Sequence, residues 1–218
     1  MARPTMSKRH HQGGDEHAVR ERILDAAFAA FMKSGYATTS TLEIATRARV
    51  SKRELYALVG NKQKMLIACI SERAKRLDVP ANLPVLRDRE TLAQVLASFG
   101  TKLVHEISDP TVIAVFRLAI AEVVQAPEVA RALDSIGRTT SRAASRKIMA
   151  QAQTSGLLTG RPAELAEEFA ALLWRDLMVS LLLGVAERPT SREIARRARH
   201  AAAAFLQLHP IPNDVREV

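Results

Sequence analysis

The sequence predicts an all-α fold: a three-helix N-terminal helix-turn-helix domain followed by a larger helical domain, about nine helices in all. Three observations carry that prediction. Aromatic residues make up 4% of the 218-residue chain, and the alternation of Val, Ile, Tyr and Thr typical of strands is nearly absent, while Ala, Leu, Arg and Glu abound. From Arg89 onward, apolar residues recur at helical spacing almost without interruption. Between Thr39 and Lys62, two short segments with helix-start signals are separated by a tight turn, the minimum of a helix-turn-helix.

Residues 1–16 (MARPTMSKRHHQGGDE) are polar, carry Lys8, Arg9, His10 and His11, and read as a flexible basic arm, either a solvated tail or a segment lying along a DNA groove. His10 and His11 have no Cys or suitably spaced carboxylate nearby, so no metal site is expected. Over residues 17–33, Ile23, Ala27 and Phe31 with Leu24 and Phe28 form a helical stripe, and Gly35 fits its C-terminal stop. Ser40 and Glu43 then form a capping box, and Leu42, Ile44 and Ala45 supply the buried side of the helix it starts. Ala48, Arg49 and Val50 make the turn, and Ser51 caps a second helix running to about Val59.

On that second helix Leu55, Leu58 and Val59 lie along one arc and Lys52, Arg53 and Tyr56 along another. One arc packs; the other is free to touch DNA. Cations at the N-terminal end of such a helix donate to guanine O6 and N7, while Tyr56 and Lys62 are placed for phosphates. As an isolated basic pair, Lys52 and Arg53 would be ordinary solvated charges; the surrounding motif makes them candidates for reading bases.

Residues 20–62 resemble the N-terminal domain of the TetR family of transcriptional regulators. The resemblance is carried at fixed spacing by Ile23, Leu24, Ala26, Ala27, Phe31, Gly35, Tyr36, Ser40, Ile44, Ala45, Val50, Ser51, Leu55, Tyr56 and Lys62. Three positions depart from the pattern: Arg49 stands where the turn usually has Gly, Arg53 and Glu54 replace a Gly-Thr type pair, and Val59 replaces a Phe. The resemblance implies double-stranded DNA as a partner, with Lys52 and Arg53 reading bases. Thr39, Ser40, Arg49, Ser51, Tyr56 and Lys62 would then sit at the backbone.

A fourth, connecting helix is expected to about Leu77, with Leu66, Ile70 and Leu77 on one face and Met65 and Cys69 beside them; Cys69 reads as a small buried residue, since no cation cluster or second Cys would activate it. Pro80 and Pro84 mark residues 78–88 as a linker between the 17–62 DNA domain, with this connecting helix (63–77), and a regulatory domain at 89–209. In that domain residues 89–107 carry Leu92, Val95, Leu96, Phe99, Leu103 and Ile107. Asp109 and Pro110 start a helix to about Gln125, and Pro127 starts a long one to Thr154, bent near Gly137. Residues 155–160 turn, residues 162–185 and 191–208 complete the helices, and 210–218 form a tail.

Residues 116–183 are similar to the AefR-like subgroup of the family. Family resemblance implies a homodimer through the last two helices, 162–185 and 191–208, with Ala201–Ala204 permitting close approach. It also implies a small-molecule effector in a cavity of the regulatory domain. Phe99, Leu103, Phe116, Ile120, Met149, Trp174 and Met178 are the candidates to line it, with His105, Arg117 and Arg175 as polar groups for an acidic ligand; the same apolar residues are also what any helical core needs.

The net charge of +9 points to a polyanionic partner, and its distribution sharpens this: residues 1–64 hold 12 Lys/Arg against 6 Asp/Glu, residues 65–218 hold 20 against 17. A single Cys and no apolar leader predict a cytoplasmic protein. The apolar run 169–186 is interrupted by Arg175 and Asp176, which argues for burial against protein and not lipid, so no membrane partner is expected. No Gly-rich phosphate loop, Gly-x-Ser-x-Gly or metal-spaced His pair occurs, and the adjacent pairs His105–Glu106 and Glu167–Glu168 point their members about 100° apart on a helix. No enzyme and no cofactor are expected. The expectation is a sequence-specific regulator, a repressor acting on a palindromic operator. The alternatives are a basic protein that coats DNA without sequence preference, or a helical ligand-binding protein or enzyme that has kept the motif without using it.

Overall fold

The computed structural model describes residues 9–74 and 84–211, with the backbone alone for residues 9–14 and 73. Within them every regular element is helical: α1 (Arg9–Ser34), α2 (Thr41–Ala48), α3 (Lys52–Leu58), α4 (Lys62–Ala74), α5 (Arg89–Ile107), α6 (Pro110–Ala121), α7 (Pro127–Ala132), α8 (Thr139–Thr154), α9 (Pro162–Trp174), α10 (Leu177–Leu183) and α11 (Ser191–Leu208). A π-helical turn, Leu133–Arg138, joins α7 to α8 where a bend near Gly137 was expected. These helices fall on the stretches read from the sequence, two of which are each divided in two. Residues 1–8 of the expected arm, 75–77 of the expected fourth helix, 78–83 of the linker and 212–218 of the tail lie outside the described residues.

Two boundaries differ from expectation. α1 begins at Arg9, so residues 9–16 are helix and not arm. Once the buried stripe of α1 has nucleated a helix, each further residue fixes only one more pair of dihedrals for one more hydrogen bond, and this carries the helix back through Gly13 and Gly14 although each costs about 1 kcal/mol relative to Ala. α6 ends at Ala121, short of Gln125, where the Val123 N–H turns to the Ile120 carbonyl three residues back (3.4 Å) and leaves the helical ladder before Pro127 opens α7.

The chain divides into two compact units, residues 1–72 with 117–136, and residues 73–116 with 137–218. The regulatory region expected as one piece over 89–209 therefore gives up residues 117–136 to the unit that holds the helix-turn-helix. In this first unit Ile23, Leu24, Ala27 and Phe31 of α1 meet Ile44, Ala45 and Ala48 of α2, Leu55 of α3, and Met65, Leu66, Cys69 and Ile70 of α4 in one buried core. Cys69 donates its thiol to the Leu24 carbonyl at 3.4 Å, a structural contact. Leu42, expected inside, is 62% exposed. The buried stripe of α2 runs through positions 44, 45 and 48, and a residue two before Ile44 lies about 200° round the helix.

Gly35, at φ 84°, ends α1, with its N–H on the Phe31 carbonyl at 3.0 Å. Its lack of a side chain has a second use: a Cβ there would stand 2.8 Å from Oε1 of Glu122. That carboxylate, buried, accepts the N–H of Ala37 at 3.1 Å across 85 residues of chain.

In the second unit α5 packs along α11, α9 packs against α8 and α11, and the core runs through Leu92, Leu96, Ile148, Met149, Phe169, Leu173, Ala198 and Phe205. Gly100 lets α5 approach closely, since a Cβ there would meet Leu173 Cδ1 at 3.1 Å and Ala198 Cβ at 3.3 Å. Capping boxes Asp88–Thr91 and Thr190–Glu193 start α5 and α11. Arg89 donates to the carbonyls of Leu206 and, at 2.9 Å, His209, tying the start of α5 to the end of α11.

The single helix expected over 162–185 is broken after Trp174. Arg175 adopts φ 44°, ψ −122°, a conformation that favours glycine, and α10 restarts at Leu177. Arg197 of α11 stabilises the break by donating to the carbonyls of Leu173 (3.2 Å) and Trp174 (3.3 Å) that α9 leaves open.

Candidate DNA-binding interface

Two hydroxyl caps build the motif. Ser40 Oγ accepts the Glu43 N–H at 3.1 Å and Ser51 Oγ accepts the Glu54 N–H at 3.1 Å, so both helices start where the sequence placed them. Only half of the expected Ser40–Glu43 box forms, for the Glu43 carboxylate turns to Arg47 at 3.3 Å. Between the helices Arg49 is left-handed at φ 55°, ψ 45° and sends its N–H back to the last turn of α2. A Cβ in that conformation costs about 1 kcal/mol relative to Gly.

Arg49→Gly is therefore expected to raise stability by about 1 kcal/mol and to lower DNA affinity with a shallower salt dependence, because it removes an exposed cation beside the interface. A urea melt with a salt titration of binding checks both. An unchanged salt slope would remove Arg49 from the contact set.

Ser51 places Lys52 and Arg53 as the first two residues of α3, both exposed, while Leu55 on the opposite side is fully buried and Leu58 and Val59 are half-buried. Lys52 Nζ stands 6.0 Å over the ring of Tyr56, whose hydroxyl lies 3.3 Å from Thr41 Oγ1. Two exposed cations, the Thr41 hydroxyl and a tyrosine thus share one face of the motif. That face can donate to base edges from the helix start and to phosphates from its flanks.

Two expected contacts are placed otherwise. Thr39 is buried, its hydroxyl on the carbonyls of Ala30 (3.2 Å) and Gly35 (2.6 Å), so it closes the end of α1 instead of facing a phosphate. Lys62 donates to the carbonyls of Tyr36 (2.9 Å), Ala37 (3.1 Å) and Thr39 (3.2 Å) and lies 4.5 Å over the Tyr36 ring. Its three carbonyl partners match its three donors, which makes it a structural pin under the turn.

Residues 23–69 match the family described as "Bacterial regulatory proteins, tetR family", and residues 94–209, more than half of the chain, match "AefR-like transcriptional repressor, C-terminal domain". The chain belongs to the TetR family. It is similar to the uncharacterised HTH-type transcriptional regulator YvkB of Bacillus subtilis, 25% identical over 87% of this chain and 96% of that one. It is also similar to the HTH-type transcriptional repressor SCO4008 of Streptomyces coelicolor, 39% identical over 33% of this chain and 36% of that one. A TetR transcriptional regulator from Agrobacterium tumefaciens shares the fold, with a TM-score of 0.73 and 26% identity over 91% of this chain and 98% of that one.

TetR-family membership gives meaning to the turn that Lys62 pins. Beside it, burial pushes the Tyr36 phenol up to about 12, helped by its hydrogen bond to Glu128 and by the nearby Glu122. The phenol thus stays a donor at any physiological pH. Its folded value lies above the ordinary value near 10, so stability present below that value is lost as pH rises toward 12. Tyr36→Phe is expected to flatten that alkaline loss, and urea midpoints of both proteins at two pH values on either side of 10 measure it. A loss of the same size in both would show the phenol to be unperturbed.

In the second unit of this TetR-family chain, a cavity of about 890 Å³ is lined by five of the expected residues, Phe99, Leu103, Phe116, Trp174 and Met178. Four others fall elsewhere. Met149 is fully buried in the core, His105 is exposed with Nδ1 3.5 Å from Glu106, and Arg117 and Ile120 belong to the other unit. Arg175 lines a separate open groove of about 1090 Å³ with Arg196, Arg197 and His200. The exposed His105 meets the half-buried Glu106 despite their adjacency, while Glu168 reaches His209 at 2.7 Å. The sequence reading missed Glu122, Arg197 and the polar wall of the cavity on α8. Only the last had a local signal, Arg138, Arg142 and Arg146 at intervals of one helical turn.

Proposed function

We propose that this DNA-binding transcriptional regulator is a ligand-responsive repressor that acts in the cytoplasm as a homodimer on a palindromic operator. The observation that carries the reading is the exposed Lys52–Arg53 pair at the capped start of α3, over a fully buried Leu55. In this reading Lys52 and Arg53 read bases, and Ser40, Arg49, Ser51 and Tyr56 hold the backbone. A short helix reads only a few base pairs, and a two-fold dimer sets two of them about 34 Å apart in successive major grooves.

The dimer face runs through α9, α10 and α11. Val179 and Leu183 of α10 are exposed apolar residues that a second copy would cover. Ala202 is buried within its own unit, Ala203 is exposed, and Ala201 and Ala204 line the open groove with Ala171 and Leu172 as the small-residue surface for a partner. Among the described residues no helix is long and apolar enough to cross a membrane.

The cavity in the second unit supports an effector site. Its lining includes Phe116 of α6, the helix whose continuation ends beside Glu122 and hence the Ala37 turn. An effector that prefers a different setting of α6 shifts the balance between DNA-competent and incompetent states by its differential affinity alone.

Selection of random duplexes by the purified protein, followed by a salt series on the winner, tests the reading. A palindromic consensus bound as a dimer, well above random DNA, is expected. Equal, steeply salt-dependent binding of every duplex would point instead to a DNA-coating protein.

A further inference from the structure

We propose that the effector is an amphipathic organic acid, an aromatic body carrying a carboxylate, whose acidic group is held by a stripe of α8. The inference rests on the reading of the second unit as an effector-binding unit and adds the chemistry of what binds there. Two walls of very different character face the same cavity.

One wall is apolar and rich in rings. Phe99, Phe116, Phe169 and Trp174 come from three different helices and converge on the cavity with Met178. Four of the chain's few aromatic side chains meeting there suit a flat, polarisable body, which stacks on rings and is bound by burial of area. The volume of about 890 Å³ falls within the range of small-molecule sites.

The other wall is α8 with the end of the π-helical turn. Arg138, Arg142, Ser145 and Arg146 all line the cavity and follow one another at four, three and one residues, which winds them onto a single stripe. Thr139 and Ser141 add hydroxyls, and Glu167 of α9 is the one carboxylate in the lining. Among the lining residues three arginines, exposed at the rim of a partly enclosed apolar space, stand against one carboxylate. A guanidinium binds a carboxylate through two parallel N–H donors, a match that neither a neutral amide nor an amine reproduces.

A second observation points the same way. Ser145 is 6% exposed, and its Oγ is the buried side-chain polar atom that lacks a hydrogen-bond partner among the described residues. A serine in mid-helix can be replaced by alanine at no cost to the helix, so an unpartnered buried hydroxyl costs stability unless something else uses it. Rotation about one bond changes the face that this hydroxyl presents, and an acid seated against the arginine stripe supplies the acceptor it lacks.

The test uses the full-length protein and a matched triplet of probes, 2-naphthoate, 2-naphthamide and 2-naphthylmethylamine, titrated by calorimetry. Naphthoate is expected to bind about 10-fold or more tightly than the amide, and the amine most weakly. Arg142→Gln, at an exposed position that a fold check by circular dichroism can clear, is expected to bring the acid down to the affinity of the amide and leave the amide unchanged. Ser145→Ala is expected to keep or raise the melting temperature while weakening the acid several-fold.

Equal binding of acid and amide, preference for the amine, or no binding of any of the three overturns the proposal. So does an acid preference that survives Arg142→Gln together with the corresponding Arg138 and Arg146 variants. The operator selection is read separately. A palindromic consensus with the wrong ligand preference removes only the acid, whereas failure to bind DNA at all removes the regulator reading on which it rests.

Discussion

Lys62→Met is expected to destabilise the protein by about 2–3 kcal/mol, although Lys62 sits at the edge of the DNA-binding face. The methionine keeps the aliphatic stem and removes only the ammonium, which accepts no substitute for its three hydrogen bonds to the Tyr36, Ala37 and Thr39 carbonyls. Those carbonyls belong to the turn that leads into Ser40, the cap of α2. Loss of the pin loosens the setting of α2 and, through its packing, of α3. DNA affinity should therefore fall for every sequence, alongside a lower urea midpoint.

The contrast with Lys52→Met makes this decisive. Lys52 is exposed and reads a base, so its replacement leaves stability within a few tenths of a kcal/mol and relaxes the preference at that base. If Lys62→Met flattens the salt slope with no change in the urea midpoint, then Lys62 is a phosphate ligand and not a pin.

Arg53→Ala is expected to cost about 1–3 kcal/mol at one base position per half-site, and so about 2–6 kcal/mol for a dimer on a symmetric operator. Arg53 is the second residue of α3, exposed, in the turn that a recognition helix points at base edges. Its loss should relax preference at that position, with the other positions of the consensus kept. Repeating the duplex selection with the variant measures this directly. A uniform loss across all sequences would make Arg53 a backbone contact and leave Lys52 as the reader.

The helix-turn-helix was legible because its determinants are local. Ser40 and Ser51 each bond an N–H three residues on, and Arg49 closes a turn with its immediate neighbours, so spacing alone locates them. Thr39 and Lys62 were misplaced because residue type tells that a group can hydrogen-bond, not with what. The partners of Lys62 lie 23 to 26 residues away. Glu122 was out of reach for the same reason, as its partner is 85 residues distant.

The break after Trp174 was hidden differently. Arg175 is neither Gly nor Pro, and the arginine that satisfies the freed carbonyls, Arg197, sits on another helix. In the cavity, five rings and chains were found because large apolar residues at helical spacing are visible. Met149 looks the same in sequence and lies in the core, since periodicity reports that a side chain faces inward and not whether a void lies before it.

The bond between Glu122 and Ala37, with the phenol of Tyr36 on Glu128, bears on how such a protein can be recombined. A head grafted at residue 72 onto the body of a relative would arrive without either carboxylate, its Ala37 amide and Tyr36 hydroxyl facing whatever that body offers at the end of its α6. A chimera should work only if residues 117–136 travel with the head. Natural recombination would meet the same limit, since the helix-turn-helix and residues 117–136 form one compact unit that a crossover between them would divide.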